Sequence, residues 1–240
     1  MLLQNILTQR IIIVLIFQVW PIFYLSYLAY KLLKRARNRS TYTLSSVFIM
    51  ISLAYSLSSI SILFNYTPYA YFLYLIAIYF FMFGNSLFVI FSWMLVKLER
   101  KSPHWMFQLG ITFYGIISTY IIFVGFFLEG IRYDSSTEWI PAYSWFFLIL
   151  SWFLLLIFLV IPQIYLSNKL IKVFEGVVLK KRITLFIISV FLEFASVYGL
   201  FLYNTWIENE IYRNIYVFIF PPIATIAAYL IYRSFGKELE

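Results

Sequence analysis

The chain has no cysteine and only one histidine among its 240 residues. Without cysteine, neither a disulfide framework nor a thiolate metal site can form. A single histidine, His104, cannot supply a bis-histidine haem or an HExxH zinc site. It also lies in no motif of the kind that surrounds a Ser-His-Asp triad. We therefore predict no metal site, no catalytic residue and no enzymatic activity.

Charge is also scarce, since 12% of the residues are charged and 63% are hydrophobic. Water-soluble domains carry about 25% charged residues. No stretch is polar enough to form a soluble domain or a linker, so we expect one lipid-embedded domain over residues 1–240. The aromatic residues lie in apolar runs rather than among basic residues, which excludes a nucleic-acid partner.

Seven apolar stretches are each long enough to cross a bilayer. About 20 apolar residues, at a rise of 1.5 Å each, span a hydrocarbon core of roughly 30 Å. Open strands would leave backbone groups unpaired in lipid, so we predict that all seven are helices. The expected fold is an all-α membrane protein, a seven-transmembrane-helix bundle. The predicted spans are residues 11–33, 43–65, 70–97, 105–128, 143–168, 183–205 and 212–233.

Lysine and arginine fall on alternate connections between the spans. Fifteen of the eighteen basic residues follow span one, three or five or belong to the C-terminus. The exceptions are Arg10, Arg132 and Arg213. Basic residues are retained on the cytoplasmic side of membranes. We therefore predict that the N-terminus is outside and the C-terminus is cytoplasmic, and this bias accounts for the net charge of +8.

The first apolar stretch is predicted to remain in the mature protein as a helix. Residues 11–33 are apolar for too long to be a signal peptide, no A-x-A-like site follows them, and the basic run comes after them. We expect a protein integral to the cell (plasma) membrane, with the lipid bilayer around it.

A weak internal repeat relates the two ends of the chain. A shift of 141 positions places Ile16–Ser26 on Ile157–Ser167 with seven of eleven residues identical. The same shift places span two on span six and span three on span seven. This is a parallel three-plus-one-plus-three plan of the kind found in transporters. Chance matching in a sequence rich in Ile, Phe and Tyr is the alternative.

Glu193 lies near the middle of span six, in VFLEFASVY. An ionised carboxylate is costly at that depth, so we expect its side chain to face the bundle interior. Ser189 and Ser196, four residues before and three after, share its helix face. Such an acid is typical of a site for a proton, a cation or a ligand amine. The alternative is a protonated acid that only holds helices together.

Other polar residues lie at similar depth in other spans. Asn85 belongs to span three, Gln18 to span one, Gln163 to span five and Ser56 to a serine stripe in span two. With Glu193 they are candidates for a small polar site that binds an unknown small ligand. Polar packing between helices, without any ligand, is the alternative.

Prolines interrupt three of the predicted spans. They are Pro21 in span one, Pro162 in span five, and Pro221 and Pro222 in span seven. Each removes a backbone donor and clashes with the previous turn. They are candidate hinges whose freed carbonyls can bind a ligand, or static bends that neighbouring helices fix.

Basic residues also define an expected cytoplasmic surface. Clusters of this kind bind anionic lipid headgroups or a cytoplasmic signalling protein, or they only set the topology. The residues are Lys34, Arg35, Arg37, Arg39, Lys180, Lys181 and Arg182.

Span seven, IYVFIFPPIATIAAYLIYR, contains no lysine. Opsins hold retinal as a Schiff base on a lysine of the seventh helix, so a covalent retinal protein is excluded. We expect no cofactor.

The chain resembles two families of seven-helix membrane proteins. Its short loops, its N-out orientation and its ending AAYLIYRSFGKELE resemble the seven-helix N-terminal sensor region of some microbial histidine kinases. Pro162-Gln163, in IPQIYLSNKLIK, resembles the second Pro-Gln motif of PQ-loop and SWEET transporters. At the first motif position the sequence reads Trp20-Pro21-Ile22, without the glutamine. The first resemblance implies a sensor, and the second implies a small-solute transporter whose path Gln163 and Glu193 would line.

We favour a stand-alone receptor- or sensor-like module that signals to cytoplasmic partners. Long regular spans and a compact polar cluster suit a binding site better than a permeation path. Signalling would be a population shift between two packings, biased by ligand contacts near Glu193 and Asn85. A PQ-loop or SWEET-like transporter is the alternative, and a non-catalytic membrane scaffold subunit is the third possibility.

Overall fold

A computed structural model describes residues 18–35, 38–97, 104–137 and 139–235. In these ranges six helices are long and apolar enough to cross a membrane. The chain is therefore a polytopic integral membrane protein of the all-α class. The helices are α1 (Trp20–Arg35), α2 (Arg39–Leu63), α3 (Pro68–Val96), α4 (His104–Phe127), α5 (Trp145–Val173), α6 (Val177–Thr205) and α7 (Glu210–Phe235), and the six spanning ones are α2 to α7.

The predicted first span is described only in part. Helix α1 has 16 residues, and residues 11–17 of the predicted span lie outside the described residues. The six other predicted spans each coincide with a helix, to within a few residues at most ends. The count of seven spans and the orientation remain predictions.

The two largest differences in length lie at the ends where the basic residues are. Helix α5 continues to Val173, where the sequence predicts an end at 168, and α6 begins at Val177, where it predicts 183. The added turns contain lysines, such as Lys172 and Lys180. Hydropathy detects only the lipid-embedded part of a helix, whereas the backbone hydrogen bonds continue past it into the polar region.

Side chains next to the connections fix where the helices begin. Asn38 Oδ1 accepts a hydrogen bond from Thr41 N (2.8 Å), and Ser144 Oγ accepts one from Phe147 N (3.2 Å). Asn209 Oδ1 accepts one from Tyr212 N (2.9 Å). Each satisfies an amide that the first turn of a helix leaves without a partner. The tight connection between α5 and α6 turns at Gly176, whose φ of 95° favours glycine.

Helix α3 lies at the centre of the bundle. It packs against α2, α4, the second half of α5 and α6, and it is the most buried of the six spans. Helix α2 also packs against α1, and α6 packs against α7. A helix surrounded in this way is apolar on all sides, which explains why α3 shows no polar face in the sequence.

A short β-hairpin covers one end of the bundle. Strand β1 (Ile131–Arg132) pairs antiparallel with β2 (Ala142–Tyr143) in the connection between α4 and α5. Tyr133 Oη donates to Asn65 Oδ1 (2.8 Å), and Tyr71 Oη donates to the carbonyl of Ile131 (3.1 Å). These bonds attach the hairpin to α3 and to the connection before it. The sequence prediction did not include it.

The turn at the tip of the hairpin is organised by Asp134. Its Oδ1 accepts hydrogen bonds from Ser136 Oγ (2.6 Å) and Ser136 N (2.8 Å). These bonds favour the ionised form, so the hydroxyl of Ser136 above all lowers the pKa of Asp134. The carboxylate is thus one of the groups that hold the loop in shape.

Helix α5 contains a π-helical segment, Leu156–Val160, directly before Pro162. Proline has no amide hydrogen, so the carbonyl four residues earlier, that of Phe158, lacks its usual helical donor. Tyr114 Oη of α4 donates to this carbonyl at 2.8 Å. A neighbouring helix therefore satisfies the group that the proline leaves free, as lipid surroundings require.

The conformation of α1 near Pro21 resembles that of α5 near Pro162. Gln18 and Val19 are π-helical, and a shift of 141 positions places them on Leu159 and Val160, which are π-helical too. The local geometry matches the sequence repeat at these positions, while the repeat over the whole chain remains a prediction.

Candidate functional site

A cavity of about 620 Å³ lies between α2, α3, α6 and α7 at the hairpin end of the bundle. This volume lies in the range of small-molecule sites, roughly 300–1,000 Å³. Ile140 and Pro141, just before β2, contribute to its wall. The helix connections place the basic residues of the described chain mainly at the opposite end. The cavity therefore belongs to the half of the bundle that the sequence predicts to be outside.

Glu193 and Tyr55 mark the deep end of the cavity. Both also line a second, much smaller void of about 10 Å³ on their other side, with Pro21 and Thr225. That volume is about the space that one water needs. The deep end is thus formed by a carboxyl group and a phenol in the middle of two spanning helices, with almost no free volume behind them.

A hydrogen-bonded group of polar side chains joins the cavity wall to the hairpin. Tyr74 Oη and Tyr143 Oη lie 2.6 Å apart, and Asn204 Nδ2 donates to Tyr74 Oη (3.3 Å) and to the carbonyl of Leu200 (3.1 Å). Tyr74 belongs to α3, Asn204 to α6 and Tyr143 to β2. The two bonds of Tyr74 therefore link α3 to β2 and to α6, while the bond to Leu200 fixes Asn204 on its own helix.

Two tyrosines of α7 hold it against α6, and one of them, Tyr216, lines the cavity. Tyr212 Oη donates to the carbonyl of Gly199 (3.1 Å), and Tyr216 Oη donates to that of Ser196 (3.4 Å). Gly199 allows this approach, because a Cβ there would lie 2.9 Å from the ring of Tyr216. The two helices are therefore in close contact along the cavity.

Two residues of opposite charge, Glu210 and Arg213, lie at the open end. Both belong to the first turn of α7 and line the cavity. Arg213 Nη2 donates to Tyr203 Oη (3.3 Å), and its guanidinium carbon lies 4.8 Å from the centre of the same ring. The tyrosine thus holds the arginine by a hydrogen bond and a cation–π contact.

Three of the predicted site residues and one predicted hinge line the cavity. They are Glu193, Ser196, Gln18 and Pro221. Ser59 Oγ donates to Gln18 Oε1 (3.3 Å), which joins the start of α1 to α2. The serine residues of α2 that reach the wall are Ser58 and Ser61.

The other predicted polar residues lie elsewhere in the bundle. Asn85 Nδ2 donates to the carbonyl of Phe81 (2.9 Å), and Gln163 Nε2 donates to Ser92 Oγ (2.9 Å), so these amides bond within α3 and between α5 and α3. Ser189 Oγ donates to the carbonyl of Leu185 (2.7 Å), and Ser56 Oγ to that of Ser52 (2.9 Å). The structure does not bring these four residues to the cavity.

The predicted hinges and basic residues are distributed as follows. Pro21 lines the small void behind Glu193, Pro162 follows the π-helical segment, and Pro221 and Pro222 lie inside α7. Thr225 Oγ1 donates to the carbonyl of Pro221 (2.9 Å).

Most of the predicted basic surface is exposed. The exposed residues are Lys34, Arg39, Lys180 and Lys181, and Arg182 is half-buried. Arg37 and the side chain of Arg35 lie outside the described residues.

Sequence reasoning missed the residues that form most of the wall. Tyr55, Tyr74, Tyr216 and Asn204 were not singled out, and Arg213 entered only the orientation argument. Tyrosine is common where helices meet the headgroups. Position along the span is the one sequence feature that could have identified Tyr55. A tyrosine in the middle of a span is too deep to belong to the aromatic belt at the headgroups.

Two further depressions lie on the outer face of α3 and α4, with volumes of about 570 and 550 Å³. Both are shallow and are lined mainly by exposed aromatic and aliphatic side chains, such as Phe72, Ile116 and Phe123. Surfaces of this kind face lipid tails.

Within residues 18–35, 38–97, 104–137 and 139–235, no three His, Asp or Glu side chains come together as metal donors.

The chain matches no protein-family model, no curated protein and no solved structure. The resemblances to sensor regions and to PQ-loop transporters rest on sequence features alone and remain predictions.

Proposed function

We propose that the chain is a receptor- or sensor-like membrane module that binds a small molecule in the cavity between α2, α3, α6 and α7. The observation that carries this proposal is the shape of the cavity. It has the volume of a small-molecule site at one end of the bundle, and it stops at Glu193 with about 10 Å³ of free space behind it. A blind cavity suits binding better than passage.

Transmission would follow from the contacts around the cavity. A ligand between α6 and α7 would contact both helices. The opposite ends of the same helices carry basic residues such as Lys180 and Arg233. Occupancy would shift the population between two packings of these helices. Cytoplasmic partners would detect the shift at the exposed basic residues, such as Lys180 and Lys181.

A small-solute transporter is the second candidate. Its support is that Glu193 and Tyr55 line both the large cavity and the small void, so they separate two spaces. A movement of Pro21 or Pro221 would join these spaces into a path. Gln163 gives this candidate no support, because its amide bonds to Ser92 away from the cavity.

The signalling role is tested by filling the cavity chemically. The sequence has no cysteine, so Ser58→Cys supplies one reactive thiol in the cavity wall. The probe is 2-(trimethylammonium)ethyl methanethiosulfonate, applied to protein in nanodiscs. We expect modification to change hydrogen exchange at the α5–α6 connection near Gly176, at the opposite end of the bundle.

The matched control is Ser136→Cys on the exposed hairpin tip, where the same reagent leaves the cavity empty. It should leave exchange near Gly176 unchanged. Modification of Ser58→Cys without any change at the basic end would contradict the signalling role. Uptake of labelled solutes into proteoliposomes that is lost in Glu193→Gln or Pro162→Ala would favour the transporter instead.

A further inference from the structure

The carboxyl group of Glu193 has no partner among the described residues. The residue is 6% exposed, and its carboxyl group makes no hydrogen bond or ion pair with any described residue. Buried carboxyl groups are normally paired or hydrogen-bonded, since an isolated buried charge is costly. The group is therefore available to a molecule in the cavity.

Aromatic rings surround the space next to this carboxyl. Tyr55, Phe81, Tyr216 and Phe220 line the cavity on α2, α3 and α7. The negative face of an aromatic ring attracts cations, and the rings also offer an apolar surface to the body of a ligand. An acid among aromatic rings is complementary to a cation that has an apolar body, and it disfavours an anion.

The charged residues at the open end, Glu210 and Arg213, are of opposite sign and are far from Glu193. Arg213 contacts Tyr203, which follows Glu193 by ten residues on α6. At 1.5 Å per residue this places the two charges about 15 Å apart along the helix. Glu210 lies in the same helical turn as Arg213, so the formal charges of these two lining residues cancel. Among the described residues that line the cavity, Glu193 is thus the one acid without a cationic residue in the same helical turn.

From this arrangement we infer that the ligand is an organic monocation, a protonated amine on an aromatic or aliphatic body, with its ammonium group at Glu193. The ammonium would donate hydrogen bonds to the carboxylate, a charge-assisted contact. Its body would lie against the rings toward the hairpin. The inference rests on the proposed ligand-binding role and adds the chemical class of the ligand.

The test compares three probes that share one apolar body. They are 2-phenylethylamine, the neutral 2-phenylethanol and the anionic 3-phenylpropionate, each titrated against the protein in phosphatidylcholine nanodiscs, with empty nanodiscs subtracted. We expect the amine to bind at least tenfold more tightly than either analogue. Glu193→Gln should weaken amine binding at least tenfold, because the amide keeps the shape and removes the charge.

The matched control is Glu175→Gln, which removes an exposed carboxylate at the opposite end of the bundle. It should leave the affinity for the amine unchanged. Equal binding of the three probes, tighter binding of an analogue, or no binding of the amine would overturn the inference. An equal loss of affinity in both variants would also overturn it, since a general surface charge would then explain the result.

A second measurement does not depend on folding of the Glu193 variant. Ser196→Cys places a thiol one turn from Glu193 in the cavity wall. We compare its reaction rates with 2-aminoethyl and 2-sulfonatoethyl methanethiosulfonate, and divide the ratio by that of 2-mercaptoethanol, a neutral thiol in free solution. A normalised ratio of about five or more in favour of the cation supports the inference, and a ratio near one overturns it.

The outcomes separate this inference from the proposed function. If an analogue binds in place of the amine and changes hydrogen exchange near Gly176, the ligand class is wrong and the receptor role stands. If the amine binds through Glu193 and exchange near Gly176 does not change, the ligand class is right and the signalling role fails.

Discussion

The carbonyl of Phe158 shows how a single side chain maintains an interrupted helix in a membrane. Pro162 cannot donate to it, and the hydroxyl of Tyr114 does so from α4. Pro162 makes this part of α5 a candidate hinge, and the hydrogen bond from Tyr114 to Phe158 restrains it. Whether α5 bends at this point depends on how strongly Tyr114 holds the carbonyl.

Removing that hydroxyl should destabilise the bundle moderately. We expect Tyr114→Phe to lower the free energy of unfolding in detergent by about 0.5–2 kcal/mol, the range of interhelical hydrogen bonds in membranes. Tyr120→Phe is the matched control, because Tyr120 is an exposed tyrosine of the same helix with no hydrogen bond in the described structure. Equal stability of the two variants, measured by denaturant titration, would show that the bond to Phe158 contributes nothing.

A second prediction at the scale of one residue concerns Asp134. Its pKa is lowered by the hydroxyl of Ser136, so the carboxylate stabilises the folded hairpin above the ordinary aspartate pKa. The contribution is lost as the pH falls through the lowered pKa of the folded state. Asp134 is the only aspartate of the chain, so selective ¹³C labelling gives one carboxyl resonance.

The titration midpoint of that resonance should lie below the ordinary aspartate value, and Ser136→Ala should raise it. Glu175→Gln is the control, since it removes an exposed carboxylate at the opposite end of the bundle and should leave the midpoint unchanged. An unchanged midpoint in Ser136→Ala would contradict the role of the hydroxyl.

The residues that the sequence identified are those whose chemistry conflicts with lipid. Glu193 is conspicuous because an ionisable group interrupts an apolar run, and it does line the cavity. Asn85 and Gln163 are conspicuous for the same reason but bond to neighbouring backbone and side-chain atoms. Hydropathy shows that a polar group is present, whereas only the packing of helices decides what it contacts.

At the scale of the helices, the most extensive contact in the described chain is between α2 and α3. A Cβ on Gly84 would lie 3.1 Å from both Ile51 Cγ1 and Met50 Cβ. Small residues allow membrane helices to approach in this way. By contrast, a Cβ on Gly115 of α4 would meet nothing closer than 3.8 Å, the hydroxyl of Tyr79.

A large side chain should therefore be tolerated at Gly115 and not at Gly84. We expect Gly84→Leu to lower the free energy of unfolding by about 1–3 kcal/mol, the usual effect of overpacking. Gly115→Leu should change it by less than half as much, because the side chain extends toward lipid. Denaturant titration of both variants in one detergent checks this, and the reverse order would contradict the contact between α2 and α3.

The helices were more predictable than the connections between them. A span of about 20 apolar residues is specified by composition alone, so α2 to α4 lie close to their predicted limits. The hairpin was not predictable, because strands of two residues such as Ile131–Arg132 have no periodicity to detect. Tertiary contacts from Tyr71 and Tyr133 hold it instead.

At the scale of the whole molecule, the helices alternate in direction and separate two ends. One end carries the hairpin and the open cavity, and the other carries most of the described basic residues. This separation agrees with an N-out, C-in orientation. The charges determine the orientation through the insertion process, so the sequence predicts it more directly than the folded structure does.

The orientation can be measured with single cysteines, since the chain has none of its own. In intact cells we expect a membrane-impermeant maleimide to label Ser136→Cys on the hairpin. Glu175→Cys, in the exposed connection between α5 and α6, should react only after permeabilisation. The opposite pattern would show that the chain is inserted the other way, and it would place the cavity on the cytoplasmic side.

The π-helical segment of α5 changes the phase of that helix. One extra residue in a turn rotates everything after it by about 100° relative to an uninterrupted α-helix. The hairpin-side half of α5 and the half that carries Gln163 therefore differ in phase by this fixed angle. A deletion of one residue within Leu156–Val160 would preserve every apolar stretch that hydropathy detects, yet it would rotate Gln163 by about 100° away from Ser92 and change which side chains of α5 face protein and which face lipid.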